Sequence, residues 1–267
     1  MWLDSHCHVT ADAFADDRDA VLERALAEGV EAVVGIGSGY GVAHNPRAVE
    51  LAERQPRVFA AVGVHPHEAH ELDAEGRRLL EGLLDRPRVV AVGECGLDYH
   101  YMRSPREVQR AVFAEQLGWA RARELPVSIH VRGDAPDAFG EMLEIWTAEG
   151  AGRLEGVLHC YTGTLPFAKR ALDAGLHISF SGILTFKNAA ELRETARGLP
   201  LDRLLVETDA PLLAPQGRRG ARNEPAWLPA VGQALADAQA RPLEAVAAAT
   251  TANARRLFRL PAAAGAA

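Results

Sequence analysis

Short apolar runs alternate with amphipathic stretches along nearly the whole 267-residue chain. Runs rich in Val, Ala, Ile and Leu, bounded by Gly, Pro or charged residues, predict strands at 2–6, 30–35, 58–64, 89–94, 127–130, 156–159, 177–181 and 203–207. Apolar positions recurring at three- and four-residue intervals predict helices at 18–28, 46–54, 74–84, 105–124, 165–174 and 189–197, with two more at 229–240 and 242–258.

Strands alternating with helices imply a parallel sheet with right-handed crossovers, and eight such units predict a closed (β/α)8 TIM barrel. An open doubly wound sheet would alternate in the same way, but it normally carries a Gly-rich phosphate loop after its first strand. Here the first strand ends in histidines, and the glycines at 35–41 do not match G-x-G-x-x-G. No repeat or composition break divides the chain, so residues 1–260 are expected to form one domain. Residues 261–267 are small and apolar without periodicity and are expected as a disordered tail.

Composition narrows the picture. A hydrophobic content of 48% is normal for a globular core, and a formal net charge of −7 argues against a surface coated for non-specific nucleic-acid or membrane binding. A local basic patch remains compatible with it. Three cysteines, an odd number without C-x-x-C spacing, speak against a disulfide framework. Strand-like sequence from Trp2 leaves no room for a signal peptide, and no apolar run approaches about 18 residues. These features lead to the expectation of a soluble, cytoplasmic protein with no membrane association and no obligate protein partner.

In a (β/α)8 barrel the chemistry sits at the C-terminal ends of the strands. The first strand ends in Asp4-Ser5-His6-Cys7-His8, where extended geometry projects His6 and His8 to one face and Cys7 to the other. The third runs into Val64-His65-Pro66-His67 and the fourth into Gly93-Glu94-Cys95-Gly96-Leu97-Asp98. Strands five and six close on His130 and His159, and strand eight on Glu207-Thr208-Asp209. Such side chains are ligand types for Zn²⁺, Mn²⁺ or Mg²⁺. Cys7, Cys95 and Cys160 each follow or precede a candidate ligand, so in extended chain they would point outward and pack as small hydrophobes. His44, His70, His100 and His177 lack a motif context and read as structural.

Together these segments resemble the TatD family of metal-dependent hydrolases. So do His159-Cys160-Tyr161-Thr162-Gly163, Phe180-Ser181-Gly182-Ile183-Leu184-Thr185-Phe186, Val206-Glu207-Thr208-Asp209-Ala210-Pro211, Arg222-Asn223-Glu224-Pro225 and Asn253-Ala254-Arg255-Arg256-Leu257-Phe258. The matches run in order from about residue 3 to residue 258. The resemblance implies a two-metal deoxyribonuclease, an exonuclease by family habit, with Mg, Mn or Zn as the ions. It further implies that His6, His8 and Asp209 hold one ion, His130 and His159 the other, and that Glu94 bridges them. His130-Val131-Arg132-Gly133-Asp134 departs from the family wording, in which Arg and Asp are adjacent, and that leaves Arg132 and Asp134 without an assigned role.

Two ions about 3.5–4 Å apart can clamp an in-line displacement, and coordination lowers the pKa of bound water to about 7. Asp209 is then the candidate proton acceptor, and Glu207, two residues earlier, a proton acceptor, ion-pair partner or orienting group. His65 and His67 are candidates for orienting phosphate or stabilising the leaving group. Arg218, Arg219 and Arg222, in the loop after the eighth strand, are candidate contacts to DNA or another phosphodiester. The rival chemistry is amide or ester hydrolysis at the same site, as in amidohydrolase-like enzymes or aminoacyl-tRNA deacylases, since two ions can polarise a carbonyl equally well. The carboxylated-lysine version is disfavoured, because the only lysines, Lys169 and Lys187, close neither strand four nor strand five. A non-catalytic metal-binding scaffold is the remaining alternative.

Overall fold

The computed structural model describes residues 1–133, 137–150 and 152–261. Eight parallel strands follow one another around a single sheet: β1 (Trp2–Cys7), β2 (Val30–Ile36), β3 (Val58–Val62), β4 (Val89–Asp98), β5 (Val127–Arg132), β6 (Gly156–Leu158), β7 (Leu176–Phe180) and β8 (Leu204–Val206). Helices α1 (Arg18–Ala27), α2 (Asn45–Arg54), α3 (Ala74–Leu84), α4 (Arg106–Arg123), α5 (Asp137–Gly150), α6 (Leu165–Asp173), α7 (Ala190–Arg197), α8 (Leu228–Gln239) and α9 (Leu243–Leu257) connect or follow them. The ring draws together where β8 meets β1. Asp209 N–H donates to His6 O at 3.0 Å, and His8 N–H donates to Ala210 O at 2.8 Å. This is the TIM barrel that the alternation predicts.

Alternation along each strand builds two cores. Val58, Ala60 and Val62 of β3 face outward with the helices, whereas Phe59 and Ala61 join Leu3, Val34, Val157 and Leu205 inside the barrel. Leu257, Phe258 and Leu260, at the end of α9, plug that interior from the N-terminal side. Fully burying a Leu or Phe contributes about 1.5–3 kcal/mol, so the plug gives the lower half of the barrel a dry floor. Above it the interior turns polar, starting with Ser5 Oγ, 3.1 Å from Ser179 Oγ across the ring.

Most boundaries fall within one or two residues of the predicted ones. Two differ for physical reasons. β4 continues to Asp98 because Gly96, at φ +138°, lets the strand pair with β5 as far as Asp98↔Arg132, where a Cβ would overlap the His130 carbonyl. Helix α5 is missing from the predicted set, although Ala138, Phe139, Met142, Leu143 and Trp146 form a buried stripe. Gly140 and the Gly and Pro punctuation before and after that stripe mask its period. Asp134 and the expected tail from 262 onward lie outside the described residues. Among those described, no helix is long and apolar enough to cross a membrane.

Candidate metal centre

The strand ends bring five of the six candidate ligands, His8, Glu94, His130, His159 and Asp209, to one cavity of about 570 Å³, together with His65. His6 lies beneath them, fully buried and stacked on His159 with ring centroids 3.9 Å apart. It reaches the cavity through an irregularity in β1, whose pairing with β2 shifts register between Asp4 and Cys7. Ser5 and His6 therefore both turn inward, to Ser179 and Ser128, while Asp4 turns toward β8. Simple alternation puts Asp4 on the His6 face; the bulge removes it. Asp4 instead accepts from Thr208 N–H at 3.0 Å and from Thr208 Oγ1 at 2.5 Å, which ties β1 to the segment carrying Asp209.

Glu94 is the hinge of the arrangement. Its Oε2 lies 3.5 Å from His6 Nε2 and 3.6 Å from His8 Nε2. Its Oε1 lies 2.9 Å from His130 Nδ1, 2.7 Å from His159 Nε2 and 3.5 Å from His65 Nε2. Asp209 Oδ1 completes the first group, 3.7 Å from His6 and 3.5 Å from His8, whose Nε2 atoms are 3.4 Å apart. Ligands about 2.1 Å from a tetrahedral ion stand roughly 3.4 Å from one another, so this donor set fits a divalent cation. The second group is tighter, held by direct carboxylate–imidazole contacts, with His130 Nδ1 and His159 Nε2 3.3 Å apart. His6/His8/Asp209 and His6/Glu94/His159 each form a cluster able to hold an ion, as do His65/Glu94/His130.

The partner on the far side of each ring selects its role, because a carboxylate only accepts. His159 Nδ1 lies 3.2 Å from Glu207 Oε1, and His130 Nε2 lies 3.1 Å from Asp98 Oδ2. Each far nitrogen therefore keeps a proton, and it is the near nitrogen, which faces Glu94, that a neutral ring would offer to an ion. His65 is the reverse. Its Nδ1 accepts from His67 N–H at 3.1 Å, so the proton of the neutral ring sits on Nε2, facing the cavity. That makes His65 a hydrogen-bond donor.

Charge is balanced inside the cluster. Burial opposes ionisation of Glu94, but His159 foremost outweighs it and holds this carboxyl well below the usual range. Burial likewise opposes ionisation of Asp209, and His8 and His6 draw its pKa down. In turn burial works against protonating His159, yet Glu94 and Glu207 raise its pKa well above the ordinary imidazole value. His8 and His130 are raised in the same way, against burial, by Asp209 and Asp98 respectively with Glu94. His6 and His65 are lowered, by burial first. A cation would take the place of these protons.

Comparison with known proteins gives the family of the chain. The family model "TatD related DNase" matches residues 3–259. The chain is 38% identical over 260 residues to "Uncharacterized metal-dependent hydrolase YabD" of Bacillus subtilis, covering 97% of this chain and all of that one. It is 40% identical over 268 residues to "3'-5' ssDNA/RNA exonuclease TatD" of Erwinia billingiae, with 97% and 100% covered. The chain belongs to the TatD family. The crystal structure of YJJV, a TatD homologue from Escherichia coli, superimposes with a TM-score of 0.90 at 30% identity, covering 97% of this chain and 98% of that one. The protein is thus a metal-dependent hydrolase of the TatD family.

The other candidate residues divide between those that reach the cavity and those that do not. Glu207 is fully buried behind His159 and does not line the cavity; besides His159 it accepts from Cys160 N–H at 2.6 Å. Of the roles open to it, orientation is the one its position serves. His67 does line the cavity, with Nε2 2.9 Å from Asp98 Oδ2. Arg218, Arg219 and Arg222 do not. Arg222 is spent on Asp17, at 2.7 Å from each carboxylate oxygen, and on Ala13 O; Arg218 lies over Trp227 at 4.6 Å and Arg219 over Phe186 at 4.3 Å. Their loop is drawn aside by Gln216 N–H donating to Thr185 Oγ1 at 2.7 Å. The arginines that do line the cavity are Arg103 and Arg132.

Cys160 also differs. β6 stops at Leu158, Cys160 takes a positive φ of 45° and lines the cavity, and its thiol lies 3.2 Å from Ser181 Oγ. Cys7 and Cys95 pack in the outer core as expected. Burial pushes all three thiols up, against any thiolate ligand. Two supporting residues escaped sequence reasoning. Asp98 stands in the strand-four motif, but its link to both His67 and His130 depends on cross-strand geometry. Ser38 accepts from Glu94 N–H at 2.9 Å and donates to Glu94 O at 3.1 Å, and nothing in its sequence context signals this.

Proposed function

We propose that the protein is a deoxyribonuclease, an exonuclease on single-stranded polynucleotide, that cleaves phosphodiester bonds with two divalent ions. The observation that carries the reading is the division of Glu94: one oxygen faces His6 and His8, the other His130 and His159. A carboxylate so placed suits a bridge between two ions, with Asp209 completing the first donor set. Bound there, the ions would supply Lewis acidity toward the phosphoryl oxygens and lower the pKa of the attacking water. The exonuclease names of relatives such as the Erwinia protein support the choice of substrate.

The chain's own residues would act as follows. Asp209, kept ionised by His8 and His6, accepts the proton of the attacking water. His65, neutral because of its burial, donates a hydrogen bond from its Nε2–H to a phosphoryl or leaving-group oxygen and keeps that proton. His67 orients phosphate beside it, braced by Asp98. Glu207 and Asp98 fix the His159 and His130 rings and touch no substrate. Neither Lys169 nor Lys187 lines the cavity, so carboxylated-lysine chemistry gains no support.

Glu94→Gln tests this directly. With end-labelled single-stranded DNA and Mn²⁺, kcat/KM should fall by more than about a hundredfold, beyond the loss typical of an outer-shell change. The melting temperature should change little. Near-normal turnover in the variant would remove Glu94 as the bridge.

A further inference from the structure

Exposed apolar side chains gather at the mouth of the metal cavity. Among the described residues five large hydrophobics are markedly exposed; Tyr40, Tyr101 and Leu212 line this cavity, and Met102 adjoins them. Such clustering marks a contact surface. Tyr101 is the centre of it. Arg132 lies over the phenol ring, with Cζ 4.8 Å from the centroid, and Arg103 lies over it farther out, with Cζ 5.8 Å from the centroid; the ring is still half exposed, so a base that stacks on it displaces or slides beside these groups. The neighbouring Arg106 and Arg110 pair with Glu141, whereas Arg103 and Arg132 meet no carboxylate among the described residues. Tyr101 is also tied to the metal centre. Its N–H donates to Asp98 Oδ1 at 2.9 Å, and its ring stands edge-on to His67 at 5.5 Å. Asp98 is the carboxylate that faces His130.

We propose that Tyr101, Arg103 and Arg132 form a nucleotide clamp: the Tyr101 ring stacks the base next to the scissile bond, and the two guanidinium groups hold the adjoining phosphate. This rests on the phosphodiesterase reading above. Base–aromatic stacking tolerates any base, because every base has a π-face, and guanidinium forks suit phosphate oxygens. The clamp also gives a physical reason for a single-stranded substrate. A paired base has its faces covered by its neighbours, so only an unstacked end can lie on Tyr101. The guanidinium pair supplies local positive charge on a chain of net charge −7, which a polyanion otherwise approaches unfavourably.

The test compares a single-stranded DNA decamer with the same decamer bearing abasic residues at both ends, cleaved in Mn²⁺ by the full-length protein. The wild type should lose about tenfold in kcat/KM on the abasic substrate, and Tyr101→Ala about tenfold on the natural one, as for loss of one stack. Tyr101→Ala should then lose nothing more on the abasic decamer, and Tyr101→Trp should restore discrimination. Multiplying losses, or wild-type cleavage of the natural decamer by Tyr101→Ala, would overturn the clamp. Fluorescence anisotropy with a slowly hydrolysed phosphorothioate decamer separates this from the reaction. If the wild type binds through Tyr101 but cleaves no diester, the clamp stands and the phosphodiesterase reading fails. If it cleaves and Tyr101→Ala binds equally well, the clamp fails alone. Arg103→Gln with Arg132→Gln should flatten the slope of log K against log salt by about 0.7, one neutralised phosphate on a single strand; an unchanged slope would remove the arginines from it.

Discussion

At the scale of single residues, the carboxylates behind the ligands decide what the ligands can do. Glu207 holds the Nδ1 side of His159, and Asp98 the Nε2 side of His130. Glu207→Gln keeps the shape but can present an N–H donor where an acceptor is required. Divalent-metal affinity, read by calorimetric titration, should fall about 10–100-fold, in the range of other outer-shell changes; unchanged affinity would reduce Glu207 to packing. The raised pKa values of His159, His8 and His130 carry a sign that can be checked. A raised pKa means that these rings hold protons above the ordinary imidazole range, and an ion needs them neutral. Metal binding should therefore release protons and tighten as pH rises, until the pKa values of the metal-free site are passed. Titrations at pH 6.5 in buffers of different ionisation enthalpy should show that release, and buffer-independent heats would refute it.

The candidate ligands can be picked out of the sequence because each closes a predicted strand, where alternation and barrel topology define direction. Asp98, Ser38 and the true orientation of Asp4 are not, since each depends on a partner 31 to 204 residues away. The β1 bulge is the clearest case: one register shift, invisible in Asp4-Ser5-His6, decides which of the three face the site.

At the scale of elements, every predicted helix is present and α5 is the one missed, where Gly140 falls inside the apolar stripe. Glycines inside two of the predicted helices offer a test of the assignments. Gly82 in α3 and Gly118 in α4 have nothing within 4 Å of where a Cβ would lie. Gly82→Ala and Gly118→Ala should each stabilise by about 0.5–1 kcal/mol, raising Tm by roughly 1–4 °C. A fall in Tm for either would contradict an unobstructed helical position. The loops were the least legible elements. Three arginines after β8 suggest phosphate recognition, but none of them lines the cavity, and Arg222 is taken by Asp17. Arg132, which the sequence left unassigned, lines the cavity. Where a loop side chain ends up depends on how the loop folds back, and composition carries no trace of that.

At the scale of the whole molecule, the barrel is divided between a dry end and a charged one. Leu257, Phe258 and Leu260 seal the interior below, and six strand ends deliver imidazoles and carboxylates above. Alternating strands and helices made this architecture readable, because eight units of that kind close most simply as a ring. The charged end sets the molecule's central demand. Buried carboxylates at Glu94, Asp209 and Glu207 require compensating positive charge, from protonated histidines or from cations. With Glu94 shared between two donor sets, the account calls for two cations side by side and not one. Electron paramagnetic resonance of the metal-stripped protein titrated with Mn²⁺ reads this without reference to any substrate. At two equivalents per chain the spectrum should show an exchange-coupled Mn²⁺ pair, and Glu94→Gln should abolish the coupling. Saturation at one equivalent, or two uncoupled six-line signals in the wild type, would contradict the bridged site.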